Sequence, residues 1–184
     1  YICLESEGSP AEFRNLRILE FPASNALAPA DIADPDVGFQ NLYTGMDLRG
    51  WTTTLAATHS WKANDWTLEH AGQSQGNSTP LWTEAVHGDF EMILDWRYPE
   101  EGQGEGAILL RGDPAWALPL PSTGAKAWHR ARITLRGNQV SMTVDGVTTV
   151  ADKVLGGIPP VGRIGLRPTG RPMQWANLFV RRLD

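Results

Sequence analysis

The chain of 184 residues is 41% hydrophobic and 20% charged, the balance of a folded globular protein, and its length suits one domain plus extra segments. A formal net charge of −5 argues against a nucleic-acid partner, which needs a basic face, and the single cysteine, Cys3, excludes a disulfide framework and a cysteine-rich zinc site. No apolar run reaches the ~18–20 residues that a membrane-spanning helix requires.

The first 21 residues repeat the last 21. YICLESEGSPAEFRNLRILEF aligns without gaps on RIGLRPTGRPMQWANLFVRRL, with Ile2, Leu4, Gly8, Pro10, Asn15 and Leu16 matching Ile164, Leu166, Gly170, Pro172, Asn177 and Leu178. Each copy reads as strand, Gly-Pro turn, strand. Each also changes phase at the same place: Phe13 is followed by Leu16 and Ile18, and Trp175 by Leu178 and Val180. That odd spacing predicts a β-bulge at Asn15 and at Asn177. The repeat is explained most simply by two tandem copies of one domain, so residues 1–21 are expected to be the terminal hairpin of a preceding copy. Tyr1 is not a natural start, which fits that expectation. An isolated hairpin is marginal in water, so Phe13 and Ile18 should pack on a preceding domain, a neighbouring chain or an open face of the second sandwich itself, and the repeat favours the preceding domain. Residues 22–36, rich in Ala, Pro and Asp and without apolar period, read as a linker. The second domain then spans 37–184.

From Val37 onward the pattern is β. Phe39 to Tyr43 is a short strand. Trp61 and the run from Trp66 to His70 are two strands around a turn at Asn64-Asp65, and Gly72 to Pro80 is a polar loop. Leu81 to Glu84 leads into the central stretch, Gly88 to Gly112. There Phe90, Met92, Leu94, Trp96 and Tyr98 fall on one face of a strand, and Glu91, Ile93, Asp95 and Arg97 on the other, because side chains alternate along a strand. Ile108 and Leu110 alternate with Arg111 in a second run, beyond the loop EGQGEG. If both runs share a sheet, Glu91, Asp95, Arg97 and Arg111 form one charged row. Ala127 to Leu135 and Gln139 to Val144 make a hairpin over Gly137-Asn138, and Asp145-Gly146 is a strong turn signal before Val147 to Val150. Arg163 to Arg167 and Met173 to Leu183 close the chain. With eight tryptophans, 19 glycines, 13 prolines and no long amphipathic helix, this is an all-β antiparallel sandwich.

No nucleophile elbow, HExxH helix or P-loop is present. The four histidines are scattered without metal-ligand spacing, so no metal site is predicted; no cofactor is predicted either, and a divalent metal is left open. Arg111-Gly112-Asp113 spells a cell-attachment tripeptide, but a strand-end Arg before a Gly-Asp turn gives the same letters. Glu91 and Asp95, four residues apart on one strand, stand roughly 13 Å apart at about 3.3 Å per residue. Glycosidase carboxylate pairs need about 5–5.5 Å or about 6.5–9.5 Å, so this pair fails as such a dyad. Cross-strand pairs of Asp95 with Arg111, or Glu105 with Arg97, are the alternatives, as structural ion pairs or as functional ones. Apolar tryptophan faces stack on pyranose rings, so Trp82 and Trp116, with Glu84 and Glu91, are candidate substrate contacts, although most tryptophans belong to cores.

These segments resemble the 3-keto-disaccharide hydrolase family over Gly38 to Leu183. The resemblance rests on FQNLYTGMDLRGW, the W-x4-W pair, LWTEAVHGDFEMILDWRY, GAILLRG, WHRARITLRGNQVSMTVDG and RIGLRPTGRPMQWANLFVRRL in that order; the head, EGSPAEFRNLRILE, is similar to the family's terminal motif. The resemblance implies a concanavalin-like sandwich or jelly roll, in a secreted or periplasmic bacterial protein acting on carbohydrate. It also implies cleavage of a 3-keto-glycoside by elimination and hydration. The ketone acidifies the C2 proton, and the C1 substituent leaves. That route needs a base near C2 and positive charge near the enolate. Asp95 or Glu105 would be the base, and Arg97 or Arg111 the enolate stabiliser. The chain departs from the family after Gly112, where only DPAWALPLPSTGAK replaces strands that usually carry polar residues and an aromatic. A non-catalytic carbohydrate-binding module and a structural assembly domain are therefore the rival expectations.

Overall fold

In the computed structural model the described residues are 12–13, 32–52, 54, 59–72, 79–101, 105–121 and 126–184. Thirteen strands follow in chain order. They are β1 Gln40–Asn41, β2 Trp51–Thr52, β3 Trp61–Asn64, β4 Thr67–His70, β5 Leu81–Thr83, β6 Phe90–Arg97 and β7 Gly106–Leu110. After them come β8 Asp113–Leu120, β9 His129–Arg136, β10 Gln139–Val144, β11 Val147–Val154, β12 Gly165–Arg167 and β13 Met173–Arg182. One sheet has eight strands in the order β11-β10-β9-β6-β13-β4-β3, with β1 also paired to β13. The other has five, in the order β2-β5-β12-β7-β8. Every pairing is antiparallel, and the two sheets form the expected jelly-roll sandwich.

The core is the sum of the inward faces. Phe90, Met92, Leu94 and Trp96 of β6, Ile133 and Leu135 of β9, and Trp175 and Leu178 of β13 meet Leu81, Ile108, Leu110, Leu118, Leu120 and Leu166 of the opposite sheet, all buried. Each such side chain contributes about 1.5–3 kcal/mol by leaving water. Trp51, Trp61, Trp96 and Trp175 are all core residues. Three of the four donate their indole N–H, to the carbonyls of Leu42, Thr79 and Pro121.

The turns follow their sequence signals. Between β10 and β11, Asp145 and Gly146 both take positive φ, 49° and 79°, the conformation that an Asp-Gly hairpin turn requires. The bulge expected at Asn177 is present: the β13–β6 register shifts between Ala176 and Phe179, and Asn177 has φ 49°. Its N-terminal counterpart, Asn15, lies outside the described residues. So do the rest of the 1–21 repeat, Glu12 and Phe13 excepted, and positions 22–31 of the linker. Phe13 is half exposed. The last linker residues form a 3-10 turn at Pro35–Val37, where Asp34 accepts the Asp36 N–H at 2.9 Å.

Two expectations are corrected. The runs around EGQGEG do not share a sheet: β6 is central in the eight-stranded sheet, and β7 lies in the other. Tyr98 secures the crossing, its hydroxyl donating to Leu120 O and accepting from Gly106 N–H, each at 2.9 Å. The stretch after Gly112 is not a bare connection but an eight-residue edge strand, β8. Pro114 and Pro119 are tolerated there because an edge strand does not need every N–H.

Candidate functional site

The outward face of the eight-stranded sheet carries most of the predicted polar residues. Register places Lys62, Glu69, Gln174 and Arg97 in one row across β3, β4, β13 and β6. Trp128 continues the row, with the Arg97 guanidinium 4.7 Å from its ring centre. Gln174 ties the row together: its carbonyl accepts from Arg97 Nε, and its amide donates to Glu69 Oε1 at 2.6 Å. Asn64 and Thr67 also donate to that oxygen, at 3.0 and 3.1 Å. Trp66, on the β3–β4 turn, packs against Trp128 with centroids 5.3 Å apart and the rings tilted by 42°, and is 57% exposed. An exposed indole thus stands beside fixed donors and acceptors.

The next rows are ion pairs. Arg130 grips Asp95 with two hydrogen bonds of 2.7 Å, Nε to Oδ1 and Nη2 to Oδ2, and Asn177 Nδ2 donates to Oδ2 at 2.6 Å. Glu91, almost wholly buried, pairs with Arg132 and with Arg181. Bidentate guanidinium–carboxylate pairs of this kind hold both partners in fixed geometry. The expected pairing of Asp95 with Arg111 is replaced by Asp95 with Arg130, and that of Arg97 with Glu105 by Arg97 with Gln174 and Trp128. Glu105 is exposed just before β7.

Arg111 is elsewhere. It follows β7 in a turn with φ 54° and is buried. It donates to Pro159 O at 3.1 Å and to Asp89 Oδ1 at 3.2 Å. Asp89 precedes β6 and Arg97 ends it, so Arg111 sits at the opposite end of that strand, about 25 Å away at roughly 3.3 Å per residue. It cannot join the charged row, and as a buried residue it cannot serve a cell-attachment tripeptide. A cavity of about 480 Å³ opens at that end, lined by His87, Asp89, Phe90, Val161, Arg182 and Asp184 among others. Burial, helped by Arg111, pushes the His87 pKa down, so its imidazole is held neutral.

The tryptophans chosen from sequence are placed differently. Trp116 packs half-buried against the core. Trp82 is half-buried on the outward face of the five-stranded sheet, its ring lying where a side chain on Gly165 would be. Glu84 is exposed after β5, its N–H bonded to Gly50 O. On that face the register sets Ala107 opposite Pro119 and Leu109 opposite Ala117, so these four positions carry no ionisable group; Asp113, at the start of β8, is exposed. Sequence reasoning missed the pair of exposed Trp66 and half-buried Trp128. Among the described residues no group of three His, Cys, Asp or Glu could hold a metal ion, and no helix is long and apolar enough to cross a membrane.

No family model and no curated protein matches the chain. Its fold is shared with solved structures at low identity. One candidate glycosyl hydrolase from Parabacteroides distasonis superposes with a TM-score of 0.66 at 14% identity, over 87% of this chain and 99% of that one. The carbohydrate binding module CBM66 from Bacillus subtilis gives 0.57 at 15% identity, over 72% and 95%. A sialidase from Trypanosoma rangeli gives 0.52 at 13% identity, over 80% of this chain but 30% of the sialidase. At these identities the likeness establishes the sandwich fold that this chain shares with carbohydrate-related proteins.

Proposed function

We propose that this chain is a carbohydrate-binding sandwich whose ligand lies on the outward face of the eight-stranded sheet. The observation that carries the reading is Trp66, 57% exposed and braced by Trp128, beside the network of Arg97, Gln174 and Glu69. An aromatic face takes the C–H side of a pyranose, and fixed polar groups at its edge take the hydroxyls. Export from a bacterial cell, and a neighbouring sandwich of the same kind implied by the sequence repeat, belong to the same proposal.

The finer reading is cleavage of a 3-keto-glycoside by elimination and hydration. Asp95 and Arg97 share a face, which keeps that chemistry in view. Against it, both Asp95 oxygens are taken by Arg130 and Asn177, Arg111 is remote, Glu105 lies on the approach to the other sheet, and Ala107, Leu109, Ala117 and Pro119 of β7 and β8 are apolar. Binding without turnover is therefore the better reading. The test pairs calorimetry on soluble glycans with incubation on a 3-keto-glucoside, scoring released aglycone. We expect glycan binding that Trp66→Ala weakens by about tenfold or more, the scale of one lost stacking contact, with an unchanged thermal midpoint. Aglycone release abolished by Asp95→Asn would establish the hydrolase reading instead.

A further inference from the structure

A second polar patch lies on the same face, beyond the ion-pair rows. A groove of about 400 Å³ runs over β9, β10 and β11; Met142, Val150 and Ala151 contribute to it, and its polar lining is Arg132, Thr134, Ser141, Thr143, Thr148 and Asp152. Its members face one way because the register aligns them: Ser141 opposite Thr134, Thr143 opposite Arg132 and opposite Thr148. The β10–β11 register shifts at Met142, which bends this edge. Ser141 and Asp152 are bonded to each other twice, Oγ to Oδ1 at 2.8 Å and Asp152 N–H to Oγ at 3.0 Å. Thr134, Thr143 and Thr148 are uncommitted: among the described residues their hydroxyls have no protein partner. Three free hydroxyls between a fixed carboxylate and a guanidinium make a surface for a polyol.

From Trp128, one residue before β9, to Thr134 within it is six residues, roughly 20 Å at about 3.3 Å each. The ground between is paved by Arg130 and Arg132, whose guanidiniums are held by Asp95 and Glu91 and remain 22% and 31% exposed. Resting on the carbohydrate reading above, we infer that the ligand is an extended linear oligosaccharide lying along β9, with a stacking subsite at Trp66 and Trp128 and a hydroxyl-lined subsite at Thr134, Thr143 and Thr148. A monosaccharide or disaccharide cannot span the two.

The experiment prints linear glucan, xylan, mannan, fructan and galacturonan ladders, from one unit to eight, and probes them with the full chain. Dissociation constants of the hits are then measured by calorimetry. Two variants are compared at matched thermal midpoints: Trp66→Ala, and Thr143→Val with Thr148→Val. For the wild type, affinity should rise with chain length beyond the disaccharide. Trp66→Ala should weaken every length. The threonine pair should leave short ligands unchanged and cost long ones about tenfold, the scale of two lost hydrogen bonds. A disaccharide bound as tightly as an octamer, or long ligands indifferent to the threonine variant, overturns the inference and leaves the carbohydrate reading standing. Failure of the wild type to bind any ladder overturns both.

Discussion

His70 shows how burial sets a single residue's chemistry. Its Nδ1 accepts the Gly72 N–H at 3.1 Å, so the proton of the neutral ring sits on Nε2, which is buried without a partner among the described residues. Burial pushes its pKa down to about 4, against an ordinary value near 6.5. The unfolded chain takes up a proton that the folded chain refuses. Stability from this residue is therefore complete above pH ~6.5 and is lost as pH falls from there towards ~4, by at most on the order of 3 kcal/mol. His87 is shifted the same way and adds to the trend. The thermal midpoint should be flat from pH 8 to 7 and drop below pH 6.5. His70→Asn, which keeps an acceptor for Gly72 N–H without a titrating ring, should give a shallower drop. Parallel curves for the two proteins would remove His70 as the cause. At this scale the sequence is legible for core tryptophans and poorly legible for exposed ones. Trp66 has the phase of inward Leu68 and His70, so alternation assigns it to the core. The turn at Asp65, with φ 53°, takes it out to solvent instead.

Strands are where local pattern succeeds and long-range pairing defeats it. Alternation in β6 correctly separates Phe90, Met92, Leu94 and Trp96 from Glu91, Asp95 and Arg97. It says nothing about which strand lies alongside, so the sheet change between β6 and β7 was not readable, and with it the true partners of Asp95 and Arg111. The bulge was readable because a phase change is local. Asn177 gives it a testable consequence. The residue takes φ 49°, a conformation that Asn and Gly tolerate and β-branched residues do not, and its side chain donates to Asp95. Asn177→Val should destabilise the chain by about 2 kcal/mol or more, adding backbone strain to a lost hydrogen bond. Asn177→Gly removes only the hydrogen bond and should cost roughly 1 kcal/mol. Urea denaturation of both variants checks the order. Equal losses would mean that the side-chain contact, not the backbone, is what the position requires.

The whole sandwich is closed by its last twenty residues. β12 is the middle strand of the five-stranded sheet, and β13 lies between β6 and β4 in the other. The segment repeated at the head of the chain thus corresponds to the pair that completes both sheets at once. A domain that already contains its own central pair has that central place filled, because β13 is hydrogen-bonded on both sides, to β6 along one edge and to β4 and β1 along the other. The thirteen strands of the described residues lie between Gln40 and Arg182, and the 3-10 turn at Pro35–Val37 stands just before the first of them. Residues 37–184 should therefore fold alone. Expressed without the first 36 residues, the chain should unfold cooperatively, with a thermal midpoint within about 4 °C of the full chain, the shift that roughly 1 kcal/mol produces in a domain of this size. Near-ultraviolet circular dichroism, dominated by the buried tryptophans, should be unchanged. A fall of more than about 10 °C, or roughly 3 kcal/mol on the same scale, would show that the head of the chain belongs to this sandwich and not to a preceding one.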